Sequence, residues 1–111
     1  MSVVAVDHLV VAAPTLDAGV RWCEATLGIT PGPGGRHPLM STHNRLFAIG
    51  GERLYSNAYM EIIAIDPEAP PPGRARWFGL DNVDLSSGPR LLTFVARTAA
   101  CVPVDLVRTE T

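Results

Sequence analysis

The sequence predicts an α+β domain in which one helix crosses a face of a sheet. Three observations carry that reading. An almost wholly apolar run opens the chain, an amphipathic helical stretch follows it, and later β-like runs alternate with Gly- and Pro-rich breaks. The element order is β-α-β-β-β, then a linker, then one more strand.

In the opening run, Val3 to Ala13, nine of eleven residues are apolar, and the break is the polar pair Asp7-His8. A strand apolar at nearly every position suits a sheet covered on both faces. Pro14-Thr15 ends the strand, and Thr15 offers a helix N-cap with Asp17 in the first turn. Leu16, Val20, Cys23 and Leu27 then share one helical face, and Gly28 stands where a C-cap glycine belongs. Trp22 falls off that stripe, either at the rim of the packing or at an interface. Ile29-Thr30 is read as a short strand start, followed by loop from Pro31 to Ser41. Thr42 to Ile49 reads as a strand, Gly50-Gly51 as a tight turn, and Arg53 to Asp66 as the antiparallel partner strand. Four prolines between Pro67 and Gly73 stop it. Arg74 to Asp81 reads as a short helix carrying Trp77 and Phe78, Asn82 to Pro89 as turns, and Arg90 to Arg97 as the last strand. With a single helix, one sheet face is expected to be left bare. By alternation that face carries His8, Val10 and Ala12 on one strand and Tyr59, Glu61, Ile63 and Ile65 on another.

Two residues are anomalous for their surroundings. His8 sits within the first apolar strand and Glu61 within Tyr59-Met60-Glu61-Ile62-Ile63, and a buried carboxylate must be paired, protonated or metal-bound. The bland alternatives are a hydrogen-bonded core histidine and a solvent-facing glutamate one step out of register. Composition narrows the function classes. The 111 residues suit one small domain, net charge is −2, and the nine basic residues are all arginines gathered into no stripe, so a nucleic-acid partner is not expected. No run is long enough for a membrane span, and Cys23 and Cys101 form neither a disulfide framework nor a metal-spaced pair. A reduced, cytoplasmic protein is the expectation.

The Asp7-His8-Leu9-Val10-Val11 opening, the Tyr59-Met60-Glu61-Ile62-Ile63 strand, and Gly35-Arg36-His37-Pro38 with Thr42-His43-Asn44-Arg45-Leu46 resemble the glyoxalase-like branch of the vicinal oxygen chelate superfamily. The resemblance implies a concave cup made of βαβββ modules. Residues 1–66 would be one module, 67–89 a Pro-rich linker with a short helix, and 90–111 the first strand of a second module and a tail. It further implies His8 and Glu61 as metal ligands, Glu61 doubling as a catalytic base, with Zn, Ni, Mn or Fe as the ion. Thr93 falls where a second histidine would stand, so a metal-free cup is an expectation of nearly equal weight. The second module is incomplete or supplied by another copy of the chain, which implies a homodimer. His43, Asn44, Arg45 and Tyr59 are the candidate residues for a small organic ligand, Arg45 as a two-pronged donor to an anionic group. Chemistries differ widely on this fold, so the expected role is ligand binding, with a metal-dependent lyase, isomerase or dioxygenase as the alternative.

Overall fold

The opening strand, β1 (Ala5–Ala12), lies inside a six-stranded sheet rather than at its edge. The computed structural model describes residues 4–49, 58–98 and 103–104. Its elements in chain order are β1, α1 (Leu16–Leu27), β2 (Arg36–His37), β3 (Thr42–Ala48), β4 (Tyr59–Ile65), a 3-10 helix (Trp77–Asn82), β5 (Arg90–Arg97) and β6 (Pro103–Val104). The sheet order is β2-β3-β4-β1-β5-β6, with β1 and β4 parallel and the other pairs antiparallel. It is an α+β fold with a mixed sheet, as the sequence predicts.

Helix α1 forms where its signals stand. The Thr15 side chain accepts the Ala18 N–H at 3.0 Å, and Gly28 closes the helix in the left-handed region at φ 68°. Its inner face meets the sheet through Cys23 and Gly19, against a cluster of Val11, Ala13, Cys23 and Ile62 with Leu16, Trp22, Phe47 and Met60 around it. Leu27, last of the predicted stripe, is exposed, and Trp22 packs on the cluster instead.

Three expectations are corrected. The short strand is Arg36–His37, not Ile29-Thr30. It pairs with Thr42 and His43 of β3 across a tight reversal, and two residues between prolines carry no readable alternation. The stretch from Arg74 is a 3-10 helix beginning only at Trp77, broken by Phe78 and Gly79, both left-handed at φ 61° and 65°. The second sheet face is not left bare. Leu80 joins Val10, Ala12, Ile63 and Val95 in a second buried cluster, with Phe78, Leu85 and Leu92 packed against it. The Pro-rich connection thus folds back over part of the face opposite α1, which polar composition alone does not reveal. Strands β3 and β4 pair antiparallel from Thr42–Ile65 to Ala48–Tyr59, while the Gly50-Gly51 turn and the strand expected from Arg53 to Asn57 lie outside the described residues. Strand β5 lies antiparallel beside β1 in this same sheet.

Gly19 is where helix and sheet approach most closely, since a Cβ there would fall on Ile62 Cγ2 and crowd Ala13. Ile62 is fully buried and its branched side chain is stiff, so little can yield. Replacing glycine in a helix gains up to about 1 kcal/mol of propensity, but overpacking costs about 1–3 kcal/mol. Gly19→Val is expected to lower stability in urea denaturation, with the unfolding slope unchanged.

Candidate functional site

Parity and register bring His8 and Glu61 together. In the parallel β1–β4 ladder His8 stands opposite Tyr59 and Val10 opposite Glu61, so all four share the face away from α1. His8 Nε2 lies 3.3 Å from Glu61 Oε1. The Tyr59 ring stacks on the His8 imidazole, with centroids 4.6 Å apart and planes 8° from parallel. Side-chain exposure is 11% for His8 and 8% for Glu61, so the pair is nearly but not wholly sealed.

A bulge supplies the next partner. The β1–β5 register shifts between Val6 and His8, leaving Asp7 as the extra residue. Adjacent strand residues ordinarily face opposite ways; here Asp7 Oδ2 reaches His8 Nδ1 at 2.7 Å. Arg97 Nη1 on β5 donates to the other oxygen of Asp7 at 3.3 Å. On the far side, Asn44 of β3 donates through Nδ2 to Glu61 Oε2 at 2.7 Å. The same Nδ2 lies 3.1 Å from His37 Nε2 on β2, and His37 Nδ1 lies 2.9 Å from Thr42 Oγ1. A continuous chain of polar side chains therefore runs Arg97, Asp7, His8, Glu61, Asn44, His37, Thr42 across five strands. Its charged half alternates in sign, so the buried Glu61 and the half-buried Asp7 each face an opposite charge.

The charge states follow from this geometry. Burial alone would push the His8 imidazole down and the Glu61 carboxyl up. Their mutual hydrogen bond, with Asp7 on His8 and Asn44 on Glu61, outweighs burial in both cases, so His8 is raised from 6.5 and Glu61 lowered from 4.5. Tyr59 is raised by burial and by the two nearby carboxylates, so its phenol stays protonated at neutral pH.

The remaining predicted residues divide by face. Asn44 and Tyr59 join His8 and Glu61. His43 and Arg45 pair with Ala64 and Ile62 of β4 and so belong to the helix side of the sheet. Arg45 donates through Nε to Gly32 O at 2.9 Å and through Nη2 to Pro31 O at 2.7 Å, fastening the Gly-Pro loop. His43, Asn44 and Arg45 line, with that loop and Leu16, a cavity of about 420 Å³. Thr93 stands opposite Val10 on β5, half-buried, with its hydroxyl on Phe94 O at 3.3 Å. Among the described residues, no group of three or more His, Cys, Asp or Glu is arranged to hold a metal ion. Asp7, His37, Thr42 and Arg97 are the members of the chain that sequence reasoning did not assign to the site. His37 lies in the quoted Gly35-Arg36-His37-Pro38 stretch, but the bulge that turns Asp7 toward His8 leaves no mark in the sequence.

Linkage fixes a pH signature. The stabilisation from His8 is complete below 6.5 and lost as pH rises through its elevated folded value. That from Glu61 is complete above 4.5 and lost as pH falls through its depressed folded value. The pair thus contributes most between those two limits. Urea midpoints of the wild type and Glu61→Gln are expected to differ most in that window and to converge on either side.

Comparison with known proteins bears on the whole sheet. No curated protein and no solved structure matches the chain. Among the described residues, no helix is long and apolar enough to cross a membrane. The glyoxalase-like domain family matches residues 6–104, from the second residue of β1 through β6, which includes every member of the polar chain. The protein belongs to the glyoxalase-like domain family of the vicinal oxygen chelate superfamily.

Proposed function

We propose that the protein binds a small, oxygen-bearing organic molecule at the His8–Glu61 end of the sheet face opposite α1. One observation carries this reading. His8 Nε2 and Glu61 Oε1 converge at 3.3 Å, while the outer atom of each group is already held, by Asp7 and by Asn44. A ligand there meets a protonated imidazole as donor and an ionised carboxylate as acceptor side by side. That combination recognises a carbonyl, hydroxyl or carboxylate oxygen next to an acidic proton or second hydroxyl. Tyr59 forms one wall, and beyond it the face continues into the buried Val10, Ile63 and Val95 cluster beneath Leu80. In an enzyme, Glu61 would accept the proton and His8 would steady the developing oxyanion.

The same convergence favours a second reading, in which the pair holds a divalent ion such as Zn, Ni, Mn or Fe. The donor types fit, because an imidazole with its other nitrogen on a carboxylate, and a carboxylate with its other oxygen hydrogen-bonded, are the outer-shell arrangements that orient metal ligands. His8 and Glu61 would be the ligands, with Asp7 and Asn44 fixing their rotamers. A bound ion would act as a Lewis acid on substrate oxygen. Two protein ligands are half of an ordinary set, so this reading calls for a second copy of the chain, and a homodimer belongs to it. Cytoplasmic localisation is proposed with both readings, since Cys23 is buried as a free thiol.

The test joins native mass spectrometry of protein purified without chelator to an NMR screen of small hydroxy- and keto-acids. The first reading predicts shifts at His8, Tyr59 and Asn44 that vanish in Glu61→Gln. Shifts confined to the cavity beside His43 and Arg45 would contradict it. A dimer carrying one or two metal ions, lost in His8→Ala, would establish the second reading. A metal-free chain that takes up no added Zn²⁺, Ni²⁺ or Mn²⁺ would remove it.

A further inference from the structure

Asn44 links Glu61 to a second histidine, His37, on the edge strand β2. The orientation of the Asn44 amide is fixed twice over by its neighbours. The Gly35 N–H requires an acceptor and finds Asn44 Oδ1 at 2.9 Å, while the Glu61 carboxylate requires a donor and finds Nδ2 at 2.7 Å. The second hydrogen on Nδ2 is then the one that faces His37 Nε2 at 3.1 Å. An N–H facing a ring nitrogen makes a hydrogen bond only if that nitrogen is unprotonated. The His37 ring proton is consequently on Nδ1, where it donates to Thr42 Oγ1 at 2.9 Å.

The surroundings leave the amide no second arrangement. Asn44 is buried at 9% exposure, and a Cβ at Gly34 would fall on its backbone carbonyl and on Oδ1, so the loop lies directly against it. Turning the amide over would set Oδ1 against the Glu61 carboxylate and an N–H against the Gly35 N–H. The other end of His37 is also held, because the Trp77 ring packs at 5.4 Å from it, tilted by 59°.

We propose that His37 is a positioning residue which, locked as the Nδ1–H tautomer, acts through Asn44 to hold the Glu61 carboxylate turned toward His8. This rests on the reading of Glu61 as the functional carboxylate, but its geometry holds whichever ligand or metal the site takes. The 3-10 helix and the β2 edge are thereby coupled to the pair at the sheet centre, through one ring and one amide.

The test is NMR on the 111-residue chain with no ligand added, so that its failure is separate from failure of the binding proposal. In ¹⁵N-histidine-labelled wild type, His37 is expected to show a protonated Nδ1 and a bare Nε2, and in Asn44→Leu to move to the Nε2–H form that free imidazole favours. A protonated Nε2 in the wild type, or the same tautomer in both proteins, overturns the proposal. The second arm follows exchange of the Asn44 side-chain amide protons. His37→Phe, which offers no acceptor, is expected to speed exchange of the proton donated to Glu61 by up to about tenfold, the ratio that one neutral hydrogen bond supplies. His37→Gln restores an amide oxygen as acceptor and is expected to return the slow rate. Equal exchange in wild type, His37→Phe and His37→Gln would make His37 a packing residue and end the proposal.

Discussion

A carboxylate in the middle of a buried strand is the constraint around which this sheet is arranged. Glu61 is 6% exposed on β4, between the fully buried Ile62 and a ladder to β1. An unpaired charge there would cost several kcal/mol, and removing one partner from a buried pair typically costs about 3–5 kcal/mol. The fold meets that demand by giving each oxygen its own donor. His8 comes from the parallel neighbour β1 and Asn44 from the antiparallel neighbour β3. Each donor is in turn anchored further out, His8 by Asp7 and Arg97, Asn44 by Gly35 and His37. The outcome is a polar seam perpendicular to the strands, laid across a sheet that packs apolar clusters on both faces.

The two faces divide the work. On the α1 side, Val11, Ala13, Cys23 and Ile62 interlock closely enough that Gly19 cannot carry a side chain, and Arg45 fastens the Gly-Pro loop at the sheet edge. On the other side, the connection from Pro67 to Pro89 returns across the sheet and seats Leu80 on Val10, Ala12, Ile63 and Val95. Its coverage gives way to the seam at His8, Tyr59 and Glu61, where polar groups meet the end of the apolar cluster. The candidate site is thus an oriented acid–base pair set at the margin of a covered apolar cluster.

Helix α1 was legible because its signals are local: the Thr15 cap, the stripe from Leu16 to Cys23, and Gly28 in the left-handed region. The shared face of His8 and Glu61 was legible from alternation alone, since period two fixes which residues of a strand lie on one side. Their contact also needs β1 and β4 to be parallel neighbours in the right register, which is a long-range fact. Asn44 carried a readable parity too, and that parity separates it from His43 and Arg45, which alternate to the helix face. Asp7 was not legible as a partner of His8, because a bulge set by the β5 pairing turns it to the same side. Residues Arg36–His37 were hidden as a strand by their brevity, and the covering role of Leu80 by the left-handed turn at Phe78 and Gly79 that presents it.

The central claim is that His8 and Glu61 form a charged pair whose hydrogen bonds outweigh the cost of burying them. A direct measurement is the pH titration of the His8 ring resonances in the wild type and in Glu61→Gln. A wild-type midpoint above 6.5 is expected, and a lower one in the variant, where the buried ring keeps its desolvation but loses the partner at 3.3 Å. A wild-type midpoint at or below 6.5, unmoved by Glu61→Gln, would contradict it.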